Sequence, residues 1–87
     1  MPTICTFRGI KVFMNYADHM PPHFHAVYAG AEAFVDIRTL EAISTDFPSR
    51  QLKMVIGWAA CHQQELLENW ELAQAKEELF QITPTLL

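Results

Sequence analysis

Apolar and polar residues alternate from Thr3 to Phe7 and again from Gly9 to Tyr16, and both stretches are rich in Ile, Val, Phe and Thr. A period of two sends successive side chains to opposite faces, so each stretch predicts a β-strand. Gly9 marks the reversal or bulge between them. In the second stretch Ile10, Val12, Met14 and Tyr16 share one face, while Lys11, Phe13 and Asn15 share the other. Residues His23 to Tyr28 and Glu32 to Arg38 read as a hairpin around Ala29-Gly30-Ala31. Phe24, Ala26 and Tyr28 oppose His23, His25 and Val27; Ala33, Val35 and Ile37 oppose Phe34, Asp36 and Arg38. Thr39 to Thr45 is a connection, with room for a short extra extended piece at Glu41-Ala42-Ile43.

After Thr45 the period lengthens. Asp46 is the expected N-cap of a helix, with Pro48 tolerated in its first turn. Leu52, Val55, Ile56, Ala59, Gln63, Leu66, Trp70 and Ala73 then follow steps of three and four residues to about Ala75. Met54, Trp58 and Cys61 form a second apolar strip, which predicts that the helix touches two surfaces. One is the sheet. The other is a partner chain or a second copy, with Met54, Trp58 and Trp70 as the expected interface residues. Gly57 is a mild weakness inside the helix that permits close packing. Leu79 to Ile82 is a final edge strand or a docking tail. The predicted fold is α+β in a single domain over residues 1–87. A small antiparallel sheet of about four strands, in the order β-β-β-β-α, packs on one long C-terminal helix.

Composition adds constraints. The chain of 87 residues is 51% hydrophobic and 18% charged, which suits one globular core. So small a domain leaves apolar surface hard to bury alone, and this favours a protein partner or homo-oligomer. The net charge of −4, with only six Lys and Arg, argues against sequence-independent nucleic-acid binding. Nucleic acid therefore enters only as a substrate. Cys5 and Cys61 are far apart and without CxxC spacing, so neither a disulfide framework nor a cysteine zinc site is expected, and a reducing cytoplasm is the default. No apolar run reaches the length of a membrane span, and the N-terminus lacks the layout of a secretion signal.

The chemistry concentrates in Asp18-His19-Met20-Pro21-Pro22-His23-Phe24-His25. Imidazole is the side chain best suited to proton transfer and metal ligation near neutral pH. On a strand His23 and His25 project from one face at i, i+2, close enough to share a metal or a phosphate. His19 would return across the Pro-Pro turn as a third ligand, and three nitrogens plus water would make a zinc-type site. Asp18, Glu32 or Asp36 would supply the carboxylate that orients a ligating imidazole. Without metal, one imidazole would act as base and another as acid in RNA cleavage, with Arg8, Lys11 or Arg38 steadying the phosphate. Equally open is a structural role, with His19 capping the turn and His23 and His25 bonding nearby carbonyls. Elsewhere Pro2 would become an N-terminal secondary amine on loss of Met1, but the β-α-β pattern of proline tautomerases is absent. Cys61 and His62 are helix neighbours pointing roughly 100° apart, so they make no nucleophile–base pair; Cys61 reads as a small buried hydrophobe.

Met1-Pro2-Thr3-Ile4, Asp18-His19 with Pro21-Pro22-His23-Phe24-His25, and Glu65-Leu66-Leu67-Glu68-Asn69-Trp70 together resemble a family of small bacterial proteins known as domain of unknown function 4160. The resemblance implies a genetic neighbour, the small domain of unknown function 2442, and a two-component toxin–antitoxin module. It carries no established catalytic residues. The positions matching its signature are His19, Pro21, Pro22, His23, Phe24 and His25. The resemblance implies a stable protein partner and leaves the chemistry open. Together with the histidine cluster it leads to the expectation of a component of such a module, the toxin before the antitoxin, held by its cognate small protein and, if an enzyme, acting on RNA or nucleotides as a nuclease or related phosphoryl-transfer hydrolase. His23 and His25 would then be the reactive pair, assisted by His19 and Asp18, with Arg8 or Lys11 on phosphate. The acidic charge departs from the basic surface of ribosome-dependent RNA-cleaving toxins. The alternatives are a non-enzymatic antitoxin or adaptor with structural histidines, and a protein whose His19, His23 and His25 hold a divalent metal such as zinc.

Overall fold

The structure, a computed structural model, describes residues 1–44 and 46–85. Five antiparallel strands lie in sequence order: β1 (Thr3–Phe7), β2 (Ile10–Phe13), β3 (His23–Tyr28), β4 (Ala31–Asp36) and β5 (Ala42–Ser44). The extended piece at Glu41-Ala42-Ile43 is thus a fifth strand, where about four were expected. Both tight hairpins turn on two residues with positive φ, Arg8-Gly9 (50° and 79°) and Ala29-Gly30 (49° and 86°). Paired positive φ values match the right-handed twist of the flanking strands, and glycine takes the second position without strain. β2 ends at Phe13, so Tyr16 lies beyond the strand and is 44% exposed.

Alternation sorts the sheet into two faces. Ile10, Val12, Phe24, Ala26, Ala33 and Val35 are all buried, facing the helices. The helical segment is broken where one long helix was expected. α1 (Ser49–Cys61) and α2 (Gln63–Gln74) meet at His62, whose φ of −129° leaves the helical region. The His62 N–H tightens onto the Ala59 carbonyl at 3.0 Å, and its own carbonyl starts α2 by accepting from Leu66 at 2.9 Å. The N-terminal signal falls two residues late: Pro48 occupies the N-cap position instead of Asp46, and no side chain caps the helix. Thr45, where the connection was expected to end, lies outside the described residues. A side chain added at Gly57 would meet nothing within 4 Å, so this glycine does not serve close packing.

Val55, Trp58, Ala59, Leu66, Trp70 and Ala73 bury the inner faces of the helices. Trp58 and Trp70 are 0% and 2% exposed, so both expected interface anchors belong to the monomer's own core. Trp58 stands edge-on to Phe24 at 5.8 Å and tilts against Phe7 at 5.7 Å. Within the second apolar strip Trp58 bonds to the chain's own end, and of the three interface candidates only Met54 keeps partial exposure. Cys61 is exposed, not buried as expected.

Leu79 to Ile82 form no strand but do dock. Ile82 N–H donates to the Ile4 carbonyl at 2.8 Å and the Gln81 side chain to the Thr3 carbonyl at 2.6 Å, covering the β1 edge. From the other side three buried helical side chains hold the backbone of this tail. Asn69 both donates to the Phe80 carbonyl (2.9 Å) and accepts from the Phe80 N–H (3.0 Å). Trp58 Nε1–H donates to the Thr83 carbonyl at 2.9 Å. His62 donates from Nε2 to the Thr85 carbonyl at 2.7 Å and from Nδ1 to the Glu65 carboxylate at 2.6 Å. Both partners of His62 are acceptors, so the doubly protonated ring is the form that satisfies both at once.

Two predictions follow from these anchors. Asn69→Leu strands the N–H and C=O of Phe80 in an apolar setting and should cost about 2–4 kcal/mol in urea unfolding. Burial pushes the His62 pKa down, but the Glu65 carboxylate and the Thr85 carbonyl outweigh it and leave it raised. A raised folded value stabilises fully below the ordinary histidine pKa of about 6.5 and is lost as pH climbs through the folded value. Thermal melts of the wild type should therefore lose stability from neutral toward alkaline pH, and His62→Gln should flatten that slope while lowering stability at acid pH by about 1–3 kcal/mol.

Candidate functional site

The outer face of the sheet carries one continuous cross-strand row. Phe13 pairs with His25, His25 with Phe34, and Phe34 with Ile43. Phe13 stacks on the His25 ring at 4.9 Å with 8° between planes, which fixes how that imidazole points. His23 begins β3 two residues earlier. Its ring meets Trp70 of α2 at 5.3 Å, Phe34 at 5.4 Å and His25 at 5.1 Å. Aromatic side chains thus hold both imidazoles from several sides.

Asp18 is delivered from the loop between β2 and β3, which contains a cis peptide bond at Met20-Pro21. The end of α2 braces this loop: Ala17 N–H donates to the Ala73 carbonyl at 3.2 Å, and the Gln74 side chain to the Asp18 carbonyl at 3.1 Å. Ile37 N–H, donating to the Pro22 carbonyl at 2.9 Å, ties its far end to β4. Asp18 Oδ2 then lies 3.1 Å from His23 Nε2 and 3.4 Å from His25 Nε2. Ligand atoms of Asp18, His23 and His25 all fall within 4.8 Å of one another.

The remaining ring nitrogens are also engaged. His23 Nδ1–H donates to the Pro21 carbonyl at 2.8 Å. His25 Nδ1 faces the Glu32 carboxylate at 3.5 Å, and the Asn15 amide stands 3.4 Å from His25 Nε2. Burial alone would raise the Asp18 carboxyl pKa. The His19 N–H, the hydrogen bond to His25 and the charges of His23 and His25 overcome that and hold it below the usual carboxylate value.

The residues singled out in the sequence separate here. His23, His25 and Asp18 come together. His19 turns its backbone N–H to Asp18 Oδ1 at 2.8 Å and is itself exposed, outside the converging group. Asp18 thus occupies the third position expected of His19, because the loop bends on Asp18. Arg8 sits in the β1–β2 turn, at the end of the sheet away from the cluster. Lys11 shares the outer face but pairs with Val27, one strand position pair beyond His25. Asp36 turns to the backbone of Arg38 and Thr39 at 2.8 and 3.1 Å instead of to an imidazole. Phe13, Asn15, Phe34 and Gln74 were not among the expected site residues, and Trp70 was expected at a partner interface instead. Phe13 and Phe34 were legible as same-face neighbours of His25; the support from Trp70 and Gln74 comes from tertiary packing alone.

Two His and one carboxylate on converging atoms are a donor set for a divalent transition metal. Ligands about 2.1 Å from a tetrahedral metal stand roughly 3.4 Å apart, close to the two separations that Asp18 makes. Among the described residues no helix is long and apolar enough to cross a membrane. A comparison with curated proteins finds no match, and neither does one with solved structures. The family model for a domain of unknown function (DUF4160) matches residues 9–71, a span holding the whole cluster and most of both helices. The chain belongs to that family.

Proposed function

We propose that this protein binds one divalent metal ion, of which zinc is the reference case, through His23 Nε2, His25 Nε2 and Asp18 Oδ2. One observation carries the reading: three donor atoms converge while the second nitrogen of each imidazole faces a carbonyl or a carboxylate. A ligating histidine is oriented in this way, its outer N–H held by a carbonyl or carboxylate so that the inner nitrogen presents its lone pair. Three protein ligands leave a position open, where a bound metal would polarise water for hydrolysis. The chain's own contribution is to hold Asp18 by the end of α2, to fix His25 by the Phe13 stack and to hold His23 against Trp70.

An RNA-cleaving toxin would have to work through the same cluster. Three grooves adjoin it, lined by Asp18, Glu32, Asp36, Glu41 and Asp46 and, among the described residues, by no Lys or Arg. That setting favours a bound cation and would leave a phosphate to be held by the metal alone.

Calorimetric titration of chelator-treated protein with Zn²⁺ should give one site. His23→Ala and His25→Ala should each weaken it at least about 100-fold, Glu32→Gln about 10-fold, and His19→Ala should leave it unchanged. No heat of binding, or equal binding by the His23→Ala variant, would remove the site. Growth after induced expression addresses the toxin role separately. Arrest by the wild type but not by the His23→Ala/His25→Ala variant would connect toxicity to the cluster, whereas normal growth with both would leave a metal-binding protein that is not a toxin.

A further inference from the structure

The two edges of the sheet are treated differently. The tail covers the β1 edge through Ile82 and Gln81, whereas β5, three residues long, ends the sheet with no further strand beyond it among the described residues. On the outer face of this open side Phe34 is 38% and Ile43 64% exposed, and the two are direct cross-strand partners. Single exposed hydrophobics are ordinary; a paired aromatic and aliphatic beside an open edge is a contact surface.

Charge specifies what it contacts. Glu32 and Asp46 line the groove on one side of Phe34 and Ile43, and Asp36 and Glu41 line the groove on the other. No Lys or Arg lines either among the described residues. Lys11, the cation on the same face, lies two strands from Glu32 across Val27, and Arg38 in the following turn lines neither groove. A second copy would set carboxylate against carboxylate at this surface. A cationic segment would be drawn to it.

We propose that this half of the sheet docks an extended segment of a partner protein that carries basic and apolar side chains together on one face, at every second position, added as a strand beside β5. Its main chain would pair with the open edge, its apolar side chains would cover Ile43 and Phe34, and its Lys or Arg would reach Glu32, Asp36 and Glu41. Main-chain pairing supplies affinity in this mode of recognition and the alternating side chains supply specificity. The inference needs no metal, although Glu32, which faces His25 Nδ1 at 3.5 Å, would serve both readings.

The test uses the full chain with chelator present, so that metal plays no part. Two short fluorescein-labelled peptides, one with Lys-Thr-Val-Thr-Lys and one with Glu-Thr-Val-Thr-Glu so that charge and Val share a strand face, are titrated by anisotropy, and amide shifts map the contact. The Lys peptide should bind, weaken as salt is raised, and shift the amides of β4 and β5. The Glu peptide should not bind. Ile43→Lys, at an exposed position that leaves the core untouched, should weaken the Lys peptide by about tenfold or more. Equal binding of both peptides, no binding, shifts elsewhere or an unaffected Ile43→Lys variant would overturn the proposal. Concentration-dependent dimerisation abolished by Ile43→Lys would do so too, by assigning the surface to a second copy.

Discussion

The break at His62 is the constraint on which the rest of the structure depends. α1 and α2 contain 13 and 12 residues with His62 between them. Drawn out as one straight helix they would run about 39 Å. The longest dimension of the molecule is 33 Å. A continuous helix would overhang the sheet and carry Leu66, Trp70 and Ala73 away from the core they fill. Breaking it lets both halves lie against the sheet, brings the end of α2 to the loop of Asp18, and frees the His62 ring to hold the tail. The cost is an interrupted hydrogen-bond ladder. The His62 N–H bond to Ala59 and the two ring bonds to Glu65 and Thr85 offset it.

That junction also explains which parts of the fold could be read along the chain. Strand alternation and the X-Gly turns are local, and β1 to β4 follow from them within a residue or two, save that β2 ends at Phe13, three residues short of Tyr16. The helix break is not local. Ala59 and Leu66, seven residues apart, remain on nearly the same face whether the helix is straight or broken, so periodicity is blind to His62. Asn69 and His62 are polar residues that helical periodicity gives no reason to bury. They are buried because each has backbone partners in the tail, and a tail's path is invisible to any local pattern. Trp58 and Trp70 are likewise buried within the monomer, Trp58 between Phe7, Phe24 and the tail and Trp70 against His23, contacts that helical periodicity does not specify.

At the candidate site, the pair His23 and His25 was legible because a strand has an unambiguous period. The third position was not. Whether the loop between β2 and β3 presents Asp18 or His19 is decided by Ala73 and Gln74, more than fifty residues away, which bond to Ala17 and Asp18. The exchange of a histidine for a carboxylate matters chemically. A third imidazole would leave the group without a fixed negative charge, whereas Asp18 gives it one and so attracts a cation.

His23 makes the same requirement in atomic terms. A neutral imidazole donates from only one nitrogen. His23 commits Nδ1–H to the Pro21 carbonyl and points Nε2 at the Asp18 carboxylate, so two acceptors face one ring. A proton or a metal ion between Nε2 and Oδ2 would satisfy both acceptors, and both are cations. The surrounding carboxylates act in the same direction. Glu32 faces the neighbouring imidazole, and Asp36, Glu41 and Asp46 lie along the adjoining grooves, so the local field is negative well beyond the cluster itself. A proton places one unit of charge in that field and a divalent metal two, at separations the ligands already nearly adopt. Metal binding would displace the proton from Nε2 while leaving the Nδ1 bond to Pro21 intact, so the orientation of His23 would be the same in both states. Asp18 beside His23 Nε2 and the carboxylates along the adjoining grooves together make a setting suited to a bound cation.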